Sequence, residues 1–128
     1  MGGRRDESGA AIVDFVLVTV VLIPVFLGIL QVALVAHIRN TLASAAASGA
    51  LYAAPVGRTE ADGVSETRRE IASALSPRFA QQVSSRMAVV AGVPVVEVTV
   101  VATIPALGLG GPSITVTVHG HATRETFR

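Results

Sequence analysis

The sequence predicts an α+β protein in which a long amino-terminal transmembrane helix continues outside the membrane into a small domain. That domain should contain one helix and an antiparallel β-hairpin or three-stranded sheet. Three observations lead to this prediction: the segment between Phe15 and Ala36 has no charged residue, good helix formers continue to Ala53, and the last third alternates apolar and polar residues. With 128 residues, the chain can hold one membrane span and one small domain.

The apolar segment is long enough to cross a lipid bilayer. As a helix rising ~1.5 Å per residue, residues 15–36 span roughly 33 Å, and the hydrocarbon core is about 30 Å thick. Arg4 and Arg5 precede the span and Arg39 follows it, so the basic residues favour a cytoplasmic amino terminus by a narrow margin. We therefore expect a single-pass membrane protein. All of its basic residues other than His are Arg, and Ala, Val and Gly are abundant, which suggests a GC-rich bacterial genome and hence a bacterial cell membrane. The chain divides into a cytoplasmic leader (1–9, disordered up to Ser8), a transmembrane helix (10–38), its extracytoplasmic extension (39–54) and an extracytoplasmic α+β domain (55–128).

The outer half of the first helix carries rows of small residues at four-residue spacing. We expect this helix to run from Ala10 to Ala53 and to end before Pro55 and Gly57. Small residues let helix backbones approach closely. The rows therefore fit two arrangements equally, packing against a helix of another subunit or resting on the protein's own domain. They pair Ala43 with Ala47, Ala45 with Gly49, and Ala46 with Ala50.

A second helix is predicted to begin at Thr59 and to end before Pro77. Glu60 and Asp62 in its first turn suit the positive end of the helix dipole. Its apolar stripe should consist of Val64, Ile71 and Leu75, with Ala61 and Ala72. Residues 79–87 are ambiguous and fit a short helix leading into a strand.

The carboxy-terminal third predicts β-structure. Apolar residues alternate with polar ones over residues 96–104 and again over 114–119, and the glycine-rich segment from Pro105 to Pro112 lies between them as a turn. We expect a third strand around Val89 to Val96. One face of this sheet is apolar and needs a cover, which either the second helix or the outer half of the first helix can supply.

Composition argues against several classes of function. The chain has no Cys, which excludes disulfides, thiol nucleophiles and Cys-based metal sites, and its net charge of +1 with no Trp does not suit nucleic-acid binding. His119 and His121 would share one face of a strand, with Glu97 as the sole candidate third ligand, so a hydrated polar face is the better interpretation. We expect no enzymatic activity, no cofactor, no metal and no small-molecule substrate.

The junction between leader and helix resembles the signal of type IV prepilins. It has Gly9, then four residues, then Asp14 and Phe15 at the head of the apolar run. The resemblance implies cleavage after Gly9 by a prepilin peptidase and exposure of Ala10 as the mature amino terminus. It also implies that Asp14, where the family usually has Glu, and Phe15 serve recognition and helix register. An ionised carboxylate is costly inside a membrane, and the free amine of a neighbouring subunit would offset that cost.

Residues 8–54 as a whole look like the TadE-like family of pilus-assembly proteins. The shared features are the acid–Phe pair, the long apolar run, the Arg39–Asn40 pair and the Ala-rich helix that ends in Gly-Ala-Leu-Tyr-Ala. The resemblance over 95–126 is looser. The family resemblance as a whole implies a minor pilin or pseudopilin of a tight-adherence (Flp-type) pilus or a related secretion system. The implied partners are membrane lipid, sister pilin-like subunits, a prepilin peptidase and an inner-membrane pilus platform.

Three alternatives remain open at this point. Asp14 could simply be hydrated at the cytoplasmic interface or cap the start of the helix. The whole chain could instead be a membrane-anchored extracytoplasmic binding module without a pilus role. Such a module would need an exposed pocket or apolar groove, and it would tolerate Gly9→Ala and Asp14→Ala. A membrane-anchored hydrolase would need an acid–base pair in a cleft of the outer domain.

Overall fold

A computed structural model describes residues 3–106 and 113–126, with side chains from Glu7 onwards. The predicted α+β class is confirmed: a long apolar helix is followed by a short helix and a three-stranded antiparallel sheet. The elements in chain order are α1 (Gly3–Ala53), α2 (Glu60–Ala74), a 3₁₀ turn (Pro77–Ala80), β1 (Gln82–Val90), β2 (Val93–Ile104) and β3 (Ile114–Thr123).

The first helix is one uninterrupted element of 51 residues that continues through Pro24. Its predicted end at Ala53 is confirmed. Its predicted start at Ala10 is wrong, because the helix begins at Gly3 and most of the leader that we expected to be disordered is helical. Extending an existing helix needs no new nucleation, and Arg and Glu are good helix formers, which accounts for the difference.

The second helix starts as its sequence predicts. Thr59 is the N-cap, and its Oγ1 accepts a hydrogen bond from the Asp62 N–H at 3.2 Å. Asp62 Oδ2 in turn accepts one from the Thr59 N–H at 2.7 Å. This reciprocal capping box satisfies two backbone donors that the helix leaves without partners. The helix is therefore well fixed at the end that follows the Pro55–Gly57 turn.

The sheet is an up-and-down meander in the order β1-β2-β3. The expected third strand around Val89 to Val96 is misplaced: the strand is β1, and Ala91 and Gly92 form a two-residue turn into β2. Both turn residues have positive φ, 52° and 80°, as a type I′ hairpin turn requires. The sequence did not reveal this boundary because Val residues lie close to the turn on both sides, at 89, 90, 93, 95 and 96. The predicted turn at Pro105–Pro112 lies outside the described residues except for Pro105 and Ala106.

Both helices cover the apolar face of the sheet, so each of the two expected covers is present. The outer half of α1 packs on β2 and β3, and α2 packs on β1. We call α2, the 3₁₀ turn and the three strands the head, and α1 the stem. Residues of the stem from Leu34 onwards contribute to the core of the head. The core consists chiefly of Ile38, Leu42, Ala46, Ile71, Val83, Val98, Val100, Ile104, Val116 and Val118.

Candidate functional site

The four residues that the sequence singled out lie together on the first turns of the stem. Gly9, Ala10, Asp14 and Phe15 are all exposed, and the Phe15 side chain is 73% exposed. No atom outside the helix backbone lies within 4 Å of the position that a side chain on Gly9 would occupy. Nothing in the described part of the head touches this junction, so it is open to another protein.

An uncovered apolar surface follows the junction. The described helix from Glu7 contains a window with a mean hydropathy of 2.8, none of which is buried, and it is long and apolar enough to cross a membrane. Its large side chains are more than half exposed at most positions between Ile12 and Val32. Soluble monomers rarely expose an apolar patch of this extent, and such patches mark sites of contact with a membrane or another protein. The coarse expectation of a membrane-anchored chain agrees with this stem.

The rows of small residues serve the contact between stem and head. Ala45, Ala46, Gly49 and Ala50 are buried, whereas Ala43 and Ala47 are partly buried. This outcome favours the second of the two arrangements, in which the helix rests on its own domain. The face is occupied within the subunit.

The contact between α1 and α2 is made by backbone and small side chains. A Cβ on Gly49 would collide with Thr67 Oγ1 and the Gly63 carbonyl, and a Cβ on Gly63 would lie 3.0 Å from the Gly49 carbonyl. Thr67 Oγ1 donates to the Gly63 carbonyl at 2.8 Å and lies 3.4 Å from the Ala45 carbonyl.

The predicted stripe of α2 is therefore partly wrong. Ala61 and Ala72 are exposed and Val64 and Leu75 are only partly buried, because the close approach selects the face of Gly63, Thr67 and Ile71.

Two shallow grooves lie where the head meets the stem, on the side facing the apolar surface. One, of about 340 Å³, is bounded by Leu34, His37 and Ile38 of the stem and by Arg78, Phe79 and Ile104 of the head. The other, of about 300 Å³, lies between Gln31, Val35, Arg39 and Ile114. Each groove has a mostly apolar lining with at least one basic side chain, and among the described residues no Asp or Glu lines either one.

The outer face of the sheet carries a row of polar side chains. Glu97 on β2 accepts hydrogen bonds from Arg86 Nε at 2.6 Å and pairs with His121 Nε2 at 2.7 Å. The Glu97 side chain is 11% exposed because its neighbours cover it. The hydrogen bond from Arg86, and then that from His121, lower the pKa of the Glu97 carboxyl, and the same contact raises the pKa of Arg86.

Residues 9–51 match the TadE-like protein family. The resemblance read from the sequence is thereby confirmed over these residues. The family is associated with tight-adherence pilus assembly and is structural rather than enzymatic. No curated protein and no solved structure matches the chain.

The TadE-like region contains every residue that the sequence analysis assigned to the junction. It begins at Gly9, includes Ala10, Asp14 and Phe15, and ends one residue before Tyr52. It also includes the buried face formed by Ala45, Ala46 and Gly49. The matched residues thus form two surfaces of the stem: an exposed apolar surface near the junction, and a buried surface that packs against the head.

Three residues outside the TadE-like region organise the head and were missed in the sequence. Arg86 lies in the segment that was ambiguous, and its position opposite Glu97 depends on the register of β1. Thr67 is fully buried, but the prediction of the buried face of α2 considered only apolar residues and therefore left it out. Arg124 donates from its guanidinium to the carbonyls of Ala53 and Arg58, both at 3.0 Å, and so satisfies the end of the stem helix. The residues next to Arg124 in the sequence do not indicate that its side chain binds carbonyls at the end of the stem helix.

The polar row does not suggest metal binding. His119 and His121 are exposed on the outer face, as the sequence led us to expect, and His119 Nδ1 lies 3.0 Å from Thr99 Oγ1. Glu97 is already engaged by Arg86 and His121. Among residues 3–106 and 113–126, no group of three or more His, Cys, Asp or Glu is placed to hold a metal ion.

Proposed function

We propose that this protein is a minor pilin-like or pseudopilin-like structural component in the assembly of a tight-adherence (Flp-type) pilus or a related secretion system. The observation that carries the proposal is the exposed junction, with Gly9, Asp14 and Phe15 at the start of an uncovered apolar helix within a TadE-like region. The protein acts by assembling with sister pilin-like subunits and an inner-membrane platform, without catalysis.

The proposed topology has a cytoplasmic amino terminus and an extracytoplasmic head. Its support is the pair Arg4 and Arg5 ahead of the span. Because the chain has no Cys, single-cysteine variants can report the sides. Thr126→Cys should react with a membrane-impermeant maleimide in intact spheroplasts. Glu7→Cys, expressed in cells without a prepilin peptidase so that residues 1–9 are retained, should react only after lysis. The reverse pattern would exclude the topology.

In this proposal a prepilin peptidase cleaves the chain after Gly9. A peptidase must bind an extended chain, so the local helix has to unwind. Gly9 makes no tertiary contact, and glycine costs a helix about 1 kcal/mol relative to alanine, so unwinding here disturbs only the end of the stem. Ala10 then becomes the mature amino terminus.

The role proposed for Asp14 is to set the register between neighbouring stems. A carboxylate at the centre of a membrane helix costs roughly 2.5–3.5 kcal/mol, and less near an end. The new amine of Ala10 on a neighbouring subunit would offset that cost by pairing with Asp14. Phe15, which is exposed beside it, would supply an apolar contact for the same recognition.

The test is intact mass and amino-terminal sequencing of the protein from its native envelope. We expect a product that lacks residues 1–9 and begins at Ala10. Gly9→Val should abolish this product, while Gly28→Val, placed in equally open space on the same helix, should be processed normally. A native product that still begins at Met1 or Gly2 in cells with an active peptidase would contradict the proposal.

Variants at Asp14 separate processing from assembly. Asp14→Ala should be cleaved but should lose co-purification with the other pilin-like subunits, and Asp14→Glu should keep it. If pilus assembly is indifferent to both Gly9→Val and Asp14→Ala, the protein is better described as a membrane-anchored binding module.

A further inference from the structure

We propose that the side of the head facing the apolar part of the stem binds lipid. The groove between Leu34 and Phe79 holds an acyl chain of an anionic phospholipid whose phosphate lies at Arg78. This goes beyond a role in assembly. It rests on the part of the proposed function that places the stem across a membrane. It does not depend on cleavage after Gly9.

The length of the stem places this groove at the membrane surface. If the bilayer begins beside Asp14, the uncharged helix from Phe15 to Ala33 covers roughly 28 Å, close to the hydrocarbon thickness of about 30 Å. Leu34, the next residue, already lines the groove and packs against the head. There is no stretch of polar stem between the apolar surface and the head. The head therefore sits directly on the lipid.

The composition of the groove suits a lipid rather than a soluble ligand. Leu34 and Phe79 are the partly exposed apolar side chains of the groove, and the buried Ile38 and Ile104 complete its lining. Leu34 follows the exposed Leu30 by one helical turn, at the end of the uncovered surface of the stem. An acyl chain from the adjacent leaflet can enter along the helix without crossing water. Burying this surface against a hydrocarbon chain stabilises the contact by the hydrophobic effect.

Charge selects the kind of lipid. Arg78 is exposed, and its guanidinium carbon lies 4.9 Å from the centre of the Phe79 ring, so the aromatic ring and the charge are presented together. His37 lies at the same level, and Arg39 lines the second groove. Because the described lining of each groove contains no Asp or Glu, Arg78 in one groove and Arg39 in the other offer positive charge at the height of the headgroups. Each basic residue near an anionic surface adds about fivefold to the affinity.

The experiment uses the full chain reconstituted in nanodiscs. Because the chain has no Trp, Phe79→Trp introduces a single indole at the groove, and Val89→Trp places one on the exposed tip of the β1–β2 hairpin. Lipids brominated on the acyl chain near the headgroup quench indoles that touch them. We expect strong quenching of Phe79→Trp and none of Val89→Trp. Pro105→Trp, an exposed position on the same groove, serves as a second reporter if Phe79→Trp perturbs the head.

Brominated phosphatidylglycerol is then titrated into unlabelled phosphatidylcholine. On the reporter background, Arg78→Gln should raise the fraction of anionic lipid needed for half-maximal quenching about fivefold. Arg68→Gln, a matched change at an exposed Arg of α2, should leave it unchanged. A parallel titration uses brominated phosphatidylcholine in place of brominated phosphatidylglycerol. The proposal is overturned if neither groove reporter is quenched, if the two brominated lipids quench equally at the same fraction, or if the two Arg variants behave alike. If the chain fails to insert into nanodiscs at all, the proposed membrane span is overturned together with the lipid site. Insertion without quenching overturns the lipid site alone, so the two failures can be told apart.

Discussion

Gly49 of the stem and Gly63 of α2 face each other so closely that each leaves no room for a methyl group on the other. The Gly63 carbonyl would lie 2.7 Å from a Cβ on Gly49, and a Cβ on Gly63 would lie 2.9 Å from the Cβ of Ala53. The head is thus held against the stem by two helix backbones in contact. This arrangement couples the orientation of the head to that of the stem.

Gly63→Ala should therefore destabilise the head. The new methyl group meets a backbone carbonyl and a buried Ala, and overpacking of this kind typically costs about 1–3 kcal/mol. Hydrogen exchange of β2 in the detergent-purified protein measures the free energy of opening. Gly28→Ala is the matched control because a methyl group there meets nothing within 4 Å. Equal protection in the two variants would show that the helices are not in contact.

Gly120→Ala should have a larger effect. A Cβ at this position of β3 would overlap the backbone of Ala46 and Ala47 in the stem, which has no flexible side chain to move aside. We expect a loss of stability at the upper end of, or beyond, the ~1–3 kcal/mol of ordinary overpacking. Thr117→Ala, at an exposed position of the same strand, should cost less than about 1 kcal/mol. A thermal melt of both variants would test the difference.

Glu97 should make the head sensitive to acid. Its hydrogen bonds from Arg86 and His121 lower its pKa below the ordinary value of 4.5. A carboxyl whose pKa is lower in the folded state stabilises the fold above the unfolded pKa, and this contribution is lost as the pH falls through the folded pKa. Glu97→Gln should melt at a lower temperature than the parent at pH 7. The gap between the two should close below pH 4.5 as the parent carboxyl becomes protonated. Glu125→Gln, an exposed change, should show no such convergence.

The capping box of α2 gives a local test of the helix start. Thr59→Ala removes the oxygen that accepts from the Asp62 N–H, and loss of such a cap costs typically ~1 kcal/mol. Ser65→Ala, an exposed change within the helix, should be close to neutral. The expected readout is faster hydrogen exchange in the first turn of α2 for Thr59→Ala alone. Equal exchange in both variants would contradict the assigned cap.

Ala91 offers a stabilising substitution. It has a φ of 52° in the turn between β1 and β2, a conformation that costs an L-residue with a side chain roughly 1–2 kcal/mol. Ala91→Gly should remove much of this strain and raise the melting temperature. Ala88→Gly, in the adjoining strand, should lower it, because glycine weakens a strand interior. Destabilisation by Ala91→Gly would argue against the type I′ turn.

The sequence by itself determined the class of the fold and the end of the stem at Ala53, and it is the source of the proposal for the junction residues. These depend on local properties: hydropathy along the chain, helix propensity up to Pro55, and the spacing of Gly9, Asp14 and Phe15. The N-cap of α2 and the alternation in β2 and β3 are local for the same reason. None of these features needs knowledge of what packs against them.

Tertiary structure alone decided which face of each helix is used. The small residues of the stem suited either a neighbouring subunit or the head, and the choice followed from where Gly63, Thr67 and Gly120 approach. The register of β1 brought Arg86 to Glu97, and the end of β3 brought Arg124 to Ala53. Such contacts join residues far apart in the chain, so their energies depend on a geometry that short-range sequence patterns do not encode.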